Sequence, residues 1–495
     1  MDVGVNGELD RRAFLAVGAS TVLLGPAVAR RTRAPGPPVA RQLHEAIRGP
    51  VIYPGNPGFA AAAHVYNERF DNVLPRAIAR PNNVGDVQSA VKWAVANGVL
   101  IRARSGGHSY AGYSVVSKGL VVDLRNINGI SVNRRAGTVT IGAGAQLIDV
   151  YAALGAEGAT IPAGSCPSVA VAGHALGGGM GLAGRNFGLL SDNIVAAEIV
   201  TADGKVHQVN QRTNPDLLWG LRGGGGGNFG IVTHLTFKLH RIPATAAYFF
   251  VNFPWSQASN AIAAWLSWAP YARDQLTSIL HLNAAGGRNS ANVTGQYFGP
   301  ASDLGRLLAP LRRVPGASVF SGNQAYVPLQ LRWAGCLTIG LTACHTAGTR
   351  NGGTLPREYF DAGSDYVTKQ FSSAARQTLI RLIQQRARQP GSGAILFDSY
   401  GGAINRVSPS ATAFVHRNTL ACIQYLTYNG GSGWLNSARG AMRPYVSGQC
   451  YQNYIQYGLA KWQNACYGAN YKRLLALRRS VDPKHVFTFP QAIGR

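Results

Sequence analysis

Residues 104–114 read RSGGHSYAGYS, directly after the apolar run VLIRA of residues 99–103. The run has the β-rich character of a strand, and it ends on Gly106 and Gly107. Glycine lets consecutive backbone N–H groups approach an anion closely, so the stretch forms a candidate phosphate-holding loop, with Arg104 beside it for charge-assisted bonding. His108 follows at once. It is either an ordinary loop histidine or a side chain aimed at whatever the loop holds.

AGSCPSVAVAGH (163–174) sets Cys166 in a Gly/Pro/Ser turn, and two further Gly-rich segments extend the pattern: GHALGGGMGLAGR (173–185) and RGGGGGNFGIVT (222–233). Each runs into apolar sequence, which places it against packed elements and lets the backbone crowd a long diphosphate ligand from several sides. Gly179, Gly181 and Gly184 spell G-x-G-x-x-G, with Glu198 downstream as a dinucleotide fingerprint requires. That fingerprint also needs a β-branched strand entering its first glycine. Here small residues and glycines come first, and Glu198 falls inside a strand before a hairpin, which argues against a nicotinamide site.

Around these loops the sequence predicts an α+β unit over residues 70–242. Val84, Val87, Val91, Ala94 and Val95 recur at helical spacing, with Asn83 as cap and Gly98 at the exit. GLVVDL and GTVTIGAG read as strands and QLIDVYAALGAEG as a helix; AAEIVTA and KVHQV form a hairpin turning at Asp203-Gly204. Residues 243–440 read as a second domain, with amphipathic helices in AIAAWLSWA and SSAARQTLIRLIQQRA and strand alternation along FVHRNTLACIQYLTY. At 495 residues the chain exceeds what one hydrophobic core supports.

The first 29 residues carry Arg11-Arg12, an apolar run from Ala13 to Gly25, and Ala27 and Ala29 before Arg30, the layout of a twin-arginine signal peptide. That run is shorter than the roughly 20 residues a spanning helix needs, so no membrane span is expected in the mature chain. Residues 30–50, with Pro35, Pro37 and Pro38, read as a linker. The formal charge of +26 comes from scattered arginines with no nucleic-acid-binding motif, which leaves adhesion to an acidic wall or substrate and excludes a specific nucleic-acid partner. The six cysteines show no metal-ligand spacing, and no metal is expected. In an exported protein they allow up to three disulfides, or at most two with one thiol left over if Cys166 serves otherwise.

RSGGHSYAGYS, VDLRNINGI, IPAGSCPSVAVAGHALGGGMGLAGRNFGLLSDNI, VTADG, DLLWGLRGGGGGNFGIVT, YQNY and YGANYKRLLALRRSVDPKHVFTFPQAI occur in that order and span nearly the whole mature chain. In them the chain resembles the berberine bridge enzyme-like branch of the FAD-linked oxidases, within the vanillyl-alcohol oxidase or PCMH-type superfamily. The resemblance implies an α+β fold: a PCMH-type FAD-binding domain of two α+β subdomains (51–242), a substrate domain whose antiparallel sheet is flanked by helices (243–440), and a C-terminal segment (441–495) returning to the FAD domain.

It also implies bicovalent FAD. His108 occupies the position that bonds the flavin 8α-methyl, and Cys166 the one that bonds ring carbon C6. Arg104, Ser105, Gly106, Gly107 and Ser109 match the pyrophosphate loop; Gly173, His174, Gly178 and Val232 match cofactor-lining positions, and Asn470 a residue folding back near the flavin. Val169 stands where a valine admits oxygen. Tyr451 and Tyr454 match the active-site pair, Asp398 an assisting carboxylate, and Gln424 a position on a substrate-facing strand. After YQNY the chain departs from the common pattern, with IQYGL in place of an acidic stretch. The implied activity is oxidation of an alcohol, sugar or hemiacetal, oligosaccharides first, by hydride transfer to flavin N5, with molecular oxygen reduced to peroxide. A tailoring oxidase of secondary metabolites and a non-catalytic basic secreted binding protein are the rival readings.

Overall fold

The computed structural model describes residues 43–495, so the expected signal peptide and residues 30–42 of the expected linker lie outside the described residues. The strand read at VLIRA begins only at Ile101 and runs Ile101–Arg104, parallel to Leu120–Asp123, which is parallel in turn to Ala77–Ala79; Val51–Ile52 closes this sheet antiparallel. The helix Val84–Ala96 is the crossover from Ala77–Ala79 to Ile101–Arg104, the two parallel strands that flank Leu120–Asp123. Asn83 Oδ1 accepts from the Asp86 N–H at 3.0 Å, and Gly98 leaves the helix at φ +61°, a left-handed turn suited to glycine.

A second, antiparallel sheet runs Ile130–Asn133, Thr138–Gly142, Ile231–Lys238, Ile194–Val200, Val206–Asn210. Its last two strands are the predicted hairpin. Glu198 lies in the middle of one, accepting from Thr233 at 2.6 Å and pairing with His234 at 3.0 Å, so it is spent on a neighbouring strand rather than on a ribose.

The third sheet draws its seven antiparallel strands from residues 245–428, in the order Ser318–Ala325, Thr245–Phe253, Arg288–Tyr297, Leu276–Ala285, Ser392–Ser399, Ala421–Tyr428, Phe360–Val367. Strand periodicity sorts its faces. Leu280, Leu282 and Ala284 are fully buried under the helices Ala258–Trp268, Ser373–Ala387 and Ser432–Met442, whereas Ile279, His281 and Asn283 turn the other way, into a cavity. Trp265 anchors the helical layer, its Nε1 donating to Ser278 Oγ at 3.0 Å. The C-terminal segment returns to the first two sheets: Ile493 N donates to Asn228 Oδ1 at 2.9 Å and Tyr113 Oη to Gln491 at 2.9 Å. Disulfides join Cys336 to Cys344 and Cys450 to Cys466, leaving Cys166 and Cys422 in none.

Two sequence expectations need correction. The linker ends before residue 43: Leu43 and Ile47 are buried in the main core, and the Arg48 and Gly49 amides donate to the Asp86 carboxylate. The strand expected along FVHRNTLACIQYLTY begins only at Ala421. Upstream, Arg417 leaves the alternation because its side chain, with no exposed surface, makes a bidentate pair with Asp192 at 2.6 and 2.9 Å. Asp192 lies in the short helix Leu190–Asn193, just ahead of a strand of the second sheet, so this pair ties that sheet's part of the chain to the third sheet's. Asp192→Ala strands a buried guanidinium, and we expect it to cost about 3–5 kcal/mol, read as a lower urea midpoint.

Candidate active site

A cavity of ≈ 1130 Å³ lies between the two smaller sheets and the open face of the seven-stranded one. Ser105, Gly106, Gly107, His108 and Ser109 line it at the end of strand Ile101–Arg104. Gly106 admits no other residue, since a Cβ there would stand 2.5 Å from the Ala170 amide nitrogen. His108 is clamped: its ring stacks on Tyr66 with centroids 4.1 Å apart, and its Nε2 meets Ser168 Oγ at 3.0 Å. Ser168 Oγ also accepts from Thr346 Oγ1 at 2.9 Å. Burial pushes the imidazole down to about 3, so it is neutral at ordinary pH and keeps a lone pair for bond formation.

Cys166 lines the same cavity on the turn that starts at Gly164. His174 steadies that turn, its Nε2 accepting from the Gly164 N–H at 2.9 Å; burial lowers its pKa to about 4, which keeps the accepting nitrogen unprotonated. Val169, Gly173 and Val232 complete this part of the wall.

Three expected cofactor contacts lie elsewhere. Arg104 turns its guanidinium away from the cavity and donates to Asp123 at 3.0 Å and to the Ala62 carbonyl at 2.6 Å. Asp123 is a buried carboxylate, and a desolvated charge must be matched locally. Arg80, Arg104 and Arg125 do so, holding it below its usual range against burial. Gly178 faces Tyr451 and Phe414, which a Cβ would approach to 2.9–3.0 Å. Asn470 donates to the carbonyls of Pro409, Thr412 and Ala413, shaping that loop instead of reaching the cavity.

On the sheet side, Tyr454 Oη donates to Asp398 Oδ2 at 3.1 Å. Asp398 thus turns to the phenol rather than capping the Gly401-Gly402 turn that follows it. Burial raises its pKa to about 7, opposed by that hydrogen bond. Tyr110 stacks parallel on Tyr454, centroids 5.6 Å apart, and accepts at its hydroxyl from Gln424 Nε2 at 2.7 Å. Gln424 and Asp398 come from neighbouring strands of one sheet and Tyr454 from the short helix Gln452–Tyr454, so tertiary packing alone assembles the group. Tyr451 does not join it: buried behind the wall, its hydroxyl faces the Gly179 and Met180 amides.

Sequence reading missed Tyr66, Tyr110, Ser168 and Thr346. Ser168 and Tyr110 sit two residues beyond Cys166 and His108 and were within reach of the same motifs; Tyr66 and Thr346 arrive from distant segments that carry no local signal.

The chemistry of the wall fits FAD. Gly107, Gly173, Gly226 and Gly227 line the cavity, and no atom lies closer than 3.5 Å to where their Cβ atoms would be, so bare backbone faces the space a ligand would take. A neutral imidazole and a thiol open onto the same space. Among the described residues there is no cluster of three or more His, Cys, Asp or Glu able to hold a metal, and no helix long and apolar enough to cross a membrane.

Comparison with known proteins agrees. Residues 75–210 match the FAD binding domain family, and residues 450–494 the berberine and berberine-like family. An uncharacterized FAD-linked oxidoreductase of Bacillus subtilis is 32% identical over 461 residues, covering 90% of this chain and 98% of its own. A xylooligosaccharide oxidase of Thermothelomyces thermophilus is 28% identical over 461 residues, 87% of this chain and 89% of its own. The solved structure of BBE-like 1 from Physcomitrella patens superposes with a TM-score of 0.85 at 31% identity, covering 92% of this chain and 98% of that one. With nearly full-length identity above thirty per cent, matched domains at both ends and a glycine-walled cavity between them, the chain belongs to the berberine bridge enzyme-like family of FAD-linked oxidoreductases.

Proposed function

We propose that the protein is an exported oxidase that carries FAD tethered through His108 and Cys166 and oxidises a hydroxyl or hemiacetal carbon of an oligosaccharide, passing the electrons to molecular oxygen to give hydrogen peroxide. The observation that carries this reading is the Tyr454–Asp398 hydrogen bond at the wall of a cavity large enough for both cofactor and substrate. When bound, FAD supplies the two-electron acceptor for the hydride. Tyr454 takes the hydroxyl proton on its phenol oxygen as its own proton passes to the ionised Asp398 carboxylate, so the phenol itself never has to hold a free charge in the buried site. Tyr110 keeps the Tyr454 ring in place by stacking, and Gln424 in turn orients Tyr110.

The wall supports this substrate class. His281, Asn283 and Thr294 offer neutral polar groups, since burial lowers His281 to about 4, and Trp333, Phe250 and Tyr359 offer aromatic faces. Arg332 is occupied by the Tyr248 ring and by Gln324. A neutral polyhydroxyl chain suits such a groove, in keeping with the xylooligosaccharide oxidase among the relatives. Val169 in the wall supports access of oxygen. Export rests on the twin-arginine N-terminus.

Assaying peroxide release with a panel of neutral oligosaccharides tests the reading. Turnover on at least one is expected. Silence on every sugar, with flavin bound, would move the assignment to the tailoring of a bulky glycosylated or polycyclic metabolite.

A further inference from the structure

Tyr451 is 1% exposed, and three donors converge on its phenol oxygen: the Gly179 N–H at 2.7 Å, the Met180 N–H at 3.0 Å and Asn453 Nδ2 at 3.0 Å. None of the three can reverse its role. Two are backbone amides, and the Asn453 side chain is oriented by the His174 carbonyl, which accepts from the same nitrogen at 2.8 Å. A neutral phenol oxygen accepts at most two hydrogen bonds and carries one proton of its own. Here donors take every position around the oxygen, and among the described residues no acceptor faces it. The ring cannot swing to find one, because Gly178 and Phe414 pack against it.

We propose that Tyr451 is held as a phenolate, a fixed negative charge behind Tyr454, and serves as a positioning residue for the Tyr454–Asp398 pair rather than as the base that meets substrate. Burial pushes the phenol up and outweighs the pull of the three hydrogen bonds; what favours the anion is the geometry of the donors. Atom counting decides between the two forms: a hydroxyl proton pressed among three N–H groups would have no partner, whereas an anion satisfies all three at once. The titratable groups around it add no cation. Tyr454 presents its ring at 4.8 Å, with Asp398 beyond it; Cys422, Tyr366 and Tyr400 belong to the same buried cluster, and His416 lies across Phe414. Arg417, over the Phe414 ring, is spent on Asp192.

A like charge behind the Tyr454 ring disfavours ionisation of the Tyr454–Asp398 pair. That consequence rests on the proton relay proposed above: the pair becomes a stronger base, and its working range moves to higher pH. The ionisation state itself is independent of turnover. Ultraviolet difference and resonance Raman spectra of the flavin-loaded protein near neutral pH should show one tyrosinate, retained in Tyr454→Phe and absent in Tyr451→Phe. Its absence from the wild type overturns the proposal whatever the activity. If Tyr451→Phe does not fold, Asn453→Leu removes one donor, and the tyrosinate signal should then appear only at higher pH; a signal unmoved by that change also overturns the proposal. In Tyr451→Phe the acid limb of kcat/KM should move down by about one pH unit, and a limb that stays in place overturns the positioning role. A limb that survives Asp398→Asn counts instead against the relay and leaves the spectra untouched.

Discussion

Asp398→Asn should lower kcat by about 10²- to 10⁴-fold, the range that a positioned proton acceptor contributes, while KM changes little. The substitution keeps shape and removes only the ability to take a proton from Tyr454, whose hydroxyl lies 3.1 Å away. The pH dependence carries the sign. Asp398 accepts a proton only when ionised, and burial places its pKa near 7, so wild-type activity should rise through about pH 7 and be lost below it. Stability runs the other way: a carboxyl whose folded pKa is raised contributes fully below its unfolded pKa, and that contribution is lost as pH rises through about 7. Asparagine removes both dependences. Tyr454→Phe should cost a similar factor, and the double variant little more than either alone, because the two side chains act as one unit. Strictly additive losses, or an unchanged limb in Asp398→Asn, would mean that the proton leaves by another route.

The second large effect concerns retention of the cofactor. His108→Ala and Cys166→Ala should each leave flavin in the protein pellet after acid precipitation, and the double variant should release all of it to the supernatant. The two proposed anchors are held by separate devices, His108 by the Tyr66 ring and Ser168, Cys166 by the turn that His174 secures, so loss of one should leave the other in place. Intact-chain mass spectrometry gives the count directly: one flavin on wild type and on each single variant, none on the double. A wild-type chain without added mass would remove the covalent attachment from the proposed function, leaving the family and the FAD fold as they stand.

How legible these features were in the sequence varied with their range. The crossover helix Val84–Ala96, its Asn83 cap and the Asp203-Gly204 hairpin are local events, set by side chains a few residues apart, and all three form as read. The glycine loop at 105–107 was equally plain, because a bare backbone advertises close approach in any context. Arg104 misled for the same reason: proximity along the chain placed it beside a phosphate loop, whereas its partner, the buried Asp123, became visible only once Leu120–Asp123 paired with Ile101–Arg104. Likewise the alternation along FVHRNTL promised a strand until Asp192 captured Arg417 from more than two hundred residues away.

By itself, then, the sequence determined the α+β organisation, the glycine-lined cofactor loops and the residue types available for tethering and proton transfer, since these depend on backbone freedom, local periodicity and short motifs. Only the tertiary structure decided which side chains meet. It set Tyr454 against Asp398, turned Arg104 and Asn470 away from the cavity, and enclosed the Tyr451 oxygen among three donors. Such contacts depend on burial and on charges that must be matched where they are desolvated, and neither is a property of neighbouring residues in a chain.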